Sequence, residues 1–144
     1  MFISRLINKS LNKRKGGTKM GKRKLESKLA PAAIGPYSQA VEAGGTIYVS
    51  GQLPIDSASG EIPSDDVSVQ TRQSLTNMKA ILAEAGYDMN RVVKTTVYLQ
   101  DMDDFGAMNN VYQEFFEDPY PARAAFQVGK LPRGAKVEIE AVAV

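Results

Sequence analysis

The order of two hydrophobic periodicities constrains the fold of this chain most strongly. Apolar residues at three- and four-residue steps predict a helix over residues 66–85, with Asp65 or Asp66 as its N-cap and Gly86 after its end. A second helix, capped by Asp103, carries five large residues on one side: Phe105, Met108, Tyr112, Phe115 and Phe116. We expect this set to belong to the core of a single α+β domain.

Runs rich in β-branched and aromatic residues predict five strands around these helices. The first two, at residues 38–43 and 46–50, flank Gly44-Gly45, a pair typical of a hairpin turn. The others are predicted at residues 91–100, 122–128 and 135–144, so that the order is β-β-α-β followed by α-β-β. Residues 56–65 contain Ser, Gly and Pro and predict a surface loop.

The last predicted strand alternates between two kinds of side chain. One set suits a face covered by the helices and consists of Val137, Ile139, Ala141 and Ala143. The other set is mixed and consists of Glu138, Glu140 and Val142. A second face of this kind needs cover, which an oligomer could supply.

The composition removes several kinds of chemistry. The 144 residues include no Cys and no His, which excludes disulfides, thiol nucleophiles, thiolate metal sites and the commonest general base. Carboxylates, Tyr, Lys, Arg, backbone groups and bound water remain. A chain with this inventory can catalyse a reaction if its substrate is already reactive and needs only to be held and desolvated, and it can equally be a binding protein.

Charge divides the chain into a basic N-terminal extension, residues 1–28, and an acidic domain, residues 29–144. The extension holds ten of the eighteen Lys and Arg residues and only one acid, which leaves a net charge of −7 on the domain. No apolar run reaches the roughly 18 to 20 residues that cross a bilayer. We therefore expect a soluble, cytoplasmic protein with no membrane partner.

Three hypotheses account for the basic extension. Residues 15–20 can be back-translated as a ribosome-binding sequence before an ATG, which would make Met20 the start and residues 1–19 a translated leader; the net charge would then be −4. A transit peptide would instead direct the protein to an organelle. A basic arm that binds nucleic acid is the third hypothesis.

Four ordered blocks of sequence resemble the RidA/YjgF family, once described as L-PSP endoribonucleases. They are AAIGPYSQA at residues 32–40, VSGQLP at 49–54, VKTTVYL at 93–99, and PAR at 121–123 together with VEIEA at 137–141. The resemblance covers residues 29–144. It implies a chorismate-mutase-like α+β domain with a mixed sheet of about six strands, two helices on one face, and a homotrimer with three clefts between subunits.

The same resemblance implies an activity and a set of site residues. The activity is hydrolysis of reactive enamines and imines, such as 2-aminoacrylate and 2-iminobutyrate, to 2-oxo acids and ammonia, with no cofactor and no metal. The matching residues are Arg123 for the substrate carboxylate, Glu138 near the water, and four residues that contact the substrate: Tyr37, Ser50, Gly51 and Asn109. At residue 125, often Cys in the family, this chain has Ala, so thiol-dependent regulation is not expected.

Each proposed site residue has a structural alternative. Arg123 can grip a planar carboxylate through two parallel bonds, or it can form a salt bridge between subunits. Glu138 can lie in a cleft where burial raises its pKa, or it can be an ordinary solvent-facing strand residue. Glu140 shares its parity, so the sequence alone does not separate them. Ser50 is expected to line the pocket rather than attack the substrate, because no base lies beside it in sequence.

The remaining contact residues have simpler alternatives as well. Tyr37 can be packing at a strand entrance, and Asn109 can be a helix surface residue.

Two functions other than deamination stay open. One is a non-catalytic sensor of small acids. The other is RNA cleavage, which an acidic domain without His pairs or a basic groove makes the weakest hypothesis.

Overall fold

A computed structural model describes residues 21 to 144 as a six-stranded sheet with two helices on one face. The strands are β1 Lys22–Leu25, β2 Ala40–Ala43, β3 Thr46–Gln52, β4 Val92–Leu99, β5 Ala122–Gln127 and β6 Val137–Ala143. Their spatial order is β1-β2-β3-β6-β4-β5, and only β4 and β5 are parallel. The predicted mixed sheet is confirmed, whereas the predicted leader, residues 1–19, lies outside the described residues.

The two helices are α1, Val67–Ala83, and α2, Phe105–Tyr112. Asp66 caps α1 as predicted, since its carboxylate accepts a 2.7 Å hydrogen bond from the Ser68 amide. The prediction that Asp103 caps the second helix was wrong. The Asp101 carboxylate accepts a 2.9 Å hydrogen bond from the Asp103 amide and so caps a short 3₁₀ helix. Helix α2 continues from this 3₁₀ helix and has no side-chain cap of its own.

Strand β1 was not predicted, and it lies in the segment that sequence analysis set apart as a basic extension. Only Leu25 of its four residues is buried, so the strand has no apolar alternation to reveal it. It pairs antiparallel with β2, with Leu25 opposite Ala40. Buried Gln39 fixes the chain that follows β1: its amide oxygen accepts the Ser27 amide at 2.7 Å, and its nitrogen donates to the Pro31 carbonyl at 2.7 Å.

The sheet has a helix-covered face and an open face. Val137, Ile139, Ala141 and Ala143 of β6 are all buried on the helix-covered face, as the alternation predicted. The open face carries the polar alternates of β6 and two exposed aromatic residues, Tyr48 and Phe126. No helix among residues 21 to 144 is long and apolar enough to cross a membrane.

Candidate active site

Arg123 lies on edge strand β5, where α2 determines the direction of its side chain. In the parallel pairing of β4 and β5, Arg123 is the partner of Thr95, which is buried on the helix-covered face. The Arg123 Nη1 donates a 2.7 Å hydrogen bond to Asn109 Oδ1 of α2. Within residues 21 to 144, Asn109 is the only hydrogen-bond partner of the Arg123 side chain, which forms no ion pair. Its remaining guanidinium donors are thus available to an anion.

Two aromatic rings complete the surroundings of the Arg123 guanidinium. Its Cζ lies 4.6 Å from the centre of the Tyr112 ring and 5.4 Å from that of Phe105. Both residues were predicted to belong to the core, which is confirmed, since Tyr112 is buried in it and Phe105 packs against it; their contact with Arg123 was not predicted. Phe105, Asn109 and Tyr112 follow one another at steps of four and three, so one helix face presents all three to Arg123. That spacing is the signal that could have revealed them.

Tyr112 also connects α2 to the strand beside Arg123. Its buried hydroxyl shares a 2.7 Å hydrogen bond with Thr95 Oγ1. Burial raises the pKa of the Tyr112 phenol, and the Thr95 bond and the Arg123 charge lower it in part. The phenol is therefore a fixed neutral partner for the cation.

Glu138 lies on the open face of β6, against Gly51 of β3. The pairing of β3 with β6 is irregular between Val49 and Gln52, and the Glu138 side chain occupies the resulting space. A Cβ on Gly51 would lie 2.9 Å from the Glu138 Cδ and closer still to one carboxylate oxygen. Gly51 is needed here because its missing side chain makes room for the Glu138 carboxyl.

The Glu138 carboxyl is half-buried and has no hydrogen-bond partner within the described part of the chain, residues 21 to 144. Its pKa is raised, first by burial and second by the negative charge of Glu140. A carboxyl group with these properties can accept a proton from water nearer to neutral pH than an exposed carboxylate can. Glu140, in contrast, accepts a 2.8 Å hydrogen bond from the Tyr98 hydroxyl.

We expect Gly51→Ala to lower the free energy of unfolding by about 1 to 3 kcal/mol, because the new methyl group overlaps the Glu138 carboxyl. Denaturant unfolding of four proteins measures this: the natural chain, Gly51→Ala, Glu138→Ala and the double variant. The cost of the methyl group should largely disappear when Glu138 is already alanine. An equal cost in both backgrounds would mean that the Glu138 contact is not its cause.

Ser50 and Tyr37 lie beside the Gly51 region. The Ser50 hydroxyl donates a 2.6 Å hydrogen bond to the Ser38 carbonyl, and the Ser50 amide donates to the Gln39 carbonyl. Tyr37, the neighbour of Ser38, is 55% exposed. The Ser50 hydroxyl is thus held by the backbone, and within residues 21 to 144 it donates to no side chain, while the exposed Tyr37 side chain is accessible to a ligand.

The six residues fall into two groups on opposite faces of the sheet. Arg123 and Asn109 lie on the helix-covered face at the β5 edge. Glu138, whose strand partner is Tyr98, lies on the open face with the Ser50-Gly51 region. A single chain therefore does not bring the Arg123 guanidinium and the Glu138 carboxyl together, and a site that uses both needs a second copy of the chain.

The family model for endoribonuclease L-PSP matches residues 27–144 of this sequence. The chain belongs to the endoribonuclease L-PSP family, which is also called RidA/YjgF. Among curated RidA/YjgF relatives, the 2-iminobutanoate/2-iminopropanoate deaminase of Mus musculus is 56% identical over 115 residues, which cover 80% of this chain and 85% of the mouse protein.

Solved structures of RidA/YjgF proteins share the fold. Escherichia coli TdcF with bound serine has a TM-score of 0.80 and 43% identity, and the match covers 85% of this chain and 98% of TdcF. RidA from an Antarctic Psychrobacter has a TM-score of 0.81 and 45% identity, over 84% of this chain and 98% of RidA. The expected membership of the RidA/YjgF family is thus confirmed.

Proposed function

We propose that this chain is a 2-iminobutanoate/2-iminopropanoate deaminase, which hydrolyses reactive enamine and imine intermediates to 2-oxo acids and ammonia. The observation that carries the proposal is the Arg123 guanidinium, which Asn109 orients and no carboxylate of residues 21 to 144 neutralises. Relatives from mouse, goat, cattle and human with this activity in their names are 50 to 56% identical to the chain.

Arg123 binds the substrate carboxylate. A 2-imino acid has a planar carboxylate next to the imine carbon, and a guanidinium holds such a group through two parallel charge-assisted hydrogen bonds. TdcF was crystallised with serine, which has the same arrangement of a carboxylate and an α-nitrogen. Asn109, Tyr112 and Phe105 restrict the guanidinium, so less freedom is lost when the substrate binds.

Glu138 moves the protons of the reaction. Its carboxylate takes a proton from water while the water oxygen bonds to the imine carbon of R–C(=NH₂⁺)–COO⁻. The protonated Glu138 then returns this proton to the nitrogen, and the C–N bond breaks. The hydroxyl proton left from the water passes to the departing ammonia, so that the products are R–CO–COO⁻ and NH₄⁺. The substrate hydrolyses slowly without a protein, so positioning and one proton relay are sufficient for catalysis.

Tyr37, Ser50 and Gly51 line the substrate pocket on the Glu138 side. Gly51 leaves room for the Glu138 carboxyl, and the exposed Tyr37 phenol can donate one hydrogen bond to the ligand. Ser50 shapes this wall through its hydrogen bond to the Ser38 carbonyl.

The active form is a homotrimer with a cleft between each pair of subunits, and it works in the cytoplasm. The placement of Arg123 and Glu138 on opposite faces of one sheet supports this assembly, because each cleft can combine the helix-covered edge of one subunit with the open face of the next. The substrate is a small 2-imino acid, and no nucleic acid is bound.

We expect the purified protein to accelerate release of ammonia and 2-oxobutanoate from 2-iminobutanoate, generated in situ by threonine dehydratase. The rate should exceed that of the dehydratase with buffer alone. The same reaction with heat-denatured protein is the control. If a folded trimer binds 2-oxobutanoate but leaves the rate unchanged, the protein is a small-acid sensor and not a deaminase.

A further inference from the structure

The two carboxylates on the open face of β6 have different surroundings. Glu138 and Glu140 are two residues apart on one strand, so their side chains project to the same face about 6 to 7 Å apart at the backbone. The Glu138 carboxyl faces Gly51 and has no hydrogen bond within residues 21 to 144. Glu140 Oε1 accepts a 2.8 Å hydrogen bond from the Tyr98 hydroxyl.

The Tyr98 side chain, on β4, reaches diagonally to Glu140 on the neighbouring strand β6. In the pairing of β4 with β6, the residue opposite Tyr98 is Glu138, and the residue opposite Glu140 is Thr96. The Tyr98 ring therefore runs along the side of Glu138 before its hydroxyl meets Glu140. Phe126 of β5 packs edge-on against this ring, with the ring centres 5.4 Å apart and the planes at 87°, which fixes its direction.

We propose that Tyr98 and Glu140 are positioning residues for Glu138: Tyr98 holds Glu140 in place, and the held Glu140 carboxylate supplies a fixed negative charge beside a Glu138 that stays free for water. The proposal rests on the deaminase function, because it concerns the residue that moves the proton in that reaction. Neither Tyr98 nor Glu140 touches the reacting atoms.

The charges around Glu138 favour this division of roles. Burial and, after it, the Glu140 charge raise the pKa of Glu138. Burial also raises the pKa of Tyr98, followed by its hydrogen bond to Glu140 and the charges of the two carboxylates, so the phenol stays a neutral donor. On the other side of Glu140 from Glu138, Lys94 of β4 and Tyr48 of β3 are both strand partners of Val142, and they line a cavity of about 310 Å³ with Glu140. Within residues 21 to 144, Lys94 forms no ion pair with either carboxylate.

Glu140→Gln tests the charge. It keeps the size of the side chain and removes its charge, so the pKa of Glu138 should fall. Because Glu138 acts in its deprotonated form, the acidic limb of the kcat profile should move to lower pH. ¹³C NMR can follow the titration of the Glu138 carboxyl carbon directly, and the signal is identified because it is missing in Glu138→Gln. The titration reports the same pKa shift without any assay of activity.

Tyr98→Phe tests the positioning, since it keeps the ring and removes only the hydroxyl. We expect kcat to fall roughly threefold to tenfold with KM unchanged, because one hydrogen bond to a charged group is lost and Arg123 is not affected. The acidic limb should move in the same direction as in Glu140→Gln, but less far.

Glu42→Gln is the matched control, because it removes one carboxylate from β2 that is paired with Arg23, away from the open face. It should change neither the NMR titration of Glu138 nor kcat. Two results together would overturn the proposal: a pKa of Glu138 that is the same in Glu140→Gln as in the natural protein, and a kcat of Tyr98→Phe that equals the natural value. If the natural protein has no deaminase activity, the proposed function fails, and the NMR titration still decides whether Glu140 acts on Glu138.

Discussion

Arg123→Ala is expected to reduce kcat/KM for 2-iminobutanoate by about 30-fold to several thousand-fold, because loss of a charge-assisted pair of bonds to a carboxylate costs about 2 to 5 kcal/mol and each 1.4 kcal/mol is a factor of ten. KM should rise more than kcat falls, since Arg123 holds the substrate before and during the reaction. Ammonia release over a range of substrate concentrations measures both constants.

Two further variants separate the charge of Arg123 from its geometry. Arg123→Lys keeps a cation but loses the paired donors, and it should retain part of the activity. Asn109→Ala leaves the guanidinium charged but removes its 2.7 Å hydrogen bond, and it should lower kcat/KM roughly tenfold. Natural activity in Arg123→Ala would show that the carboxylate binds elsewhere.

Glu138→Gln is expected to lower kcat roughly 10²- to 10⁴-fold with little change in KM, because the amide keeps the shape of the side chain but cannot accept a proton. The pH profile gives a second readout. Because the pKa of Glu138 is raised, the natural kcat should fall on acidification at a higher pH than an ordinary carboxylate would give, and this limb should vanish in Glu138→Gln.

Mixing the two inactive variants tests where Arg123 and Glu138 meet. If each cleft takes Arg123 from one subunit and Glu138 from the next, random co-assembly of equal amounts of Arg123→Ala and Glu138→Gln subunits restores about a quarter of the sites. If one chain supplied both residues to a site, no activity would return. Size-exclusion chromatography with static light scattering shows that the mixture is trimeric. Native mass spectrometry shows whether subunits were exchanged, because Arg123→Ala and Glu138→Gln subunits differ in mass.

Local patterns predicted most of the fold. The alternation in β6 identified its buried set correctly, because one face of the strand packs on α1 and every second residue must be apolar. Strand β1 escaped because three of its four residues are exposed Lys or Arg, and its strand structure depends on pairing with β2 rather than on its own sequence.

The sequence proposes the residues of the candidate site one by one, but not their arrangement. Glu138 and Glu140 have the same parity, and two contacts between strands distinguish them: Glu138 lies against Gly51, and Glu140 accepts a hydrogen bond from Tyr98, 42 residues away in sequence. Arg123 and Glu138 lie on opposite faces of the sheet because of the register in which β5 pairs with β4 and β4 pairs with β6. Long-range register of this kind leaves no mark in a local pattern.

The edge strand that carries Arg123 affects how the protein behaves at high concentration. The unpaired edge of a sheet is a template on which further copies can add and precipitate, and charged side chains are a common protection against this. Strand β1, at the other edge, has three consecutive cationic residues, whereas β5 reads ARAAFQ and has only Arg123. Arg123→Ala therefore also removes the only charged side chain of β5, and we expect it to make the protein more prone to aggregate at high concentration.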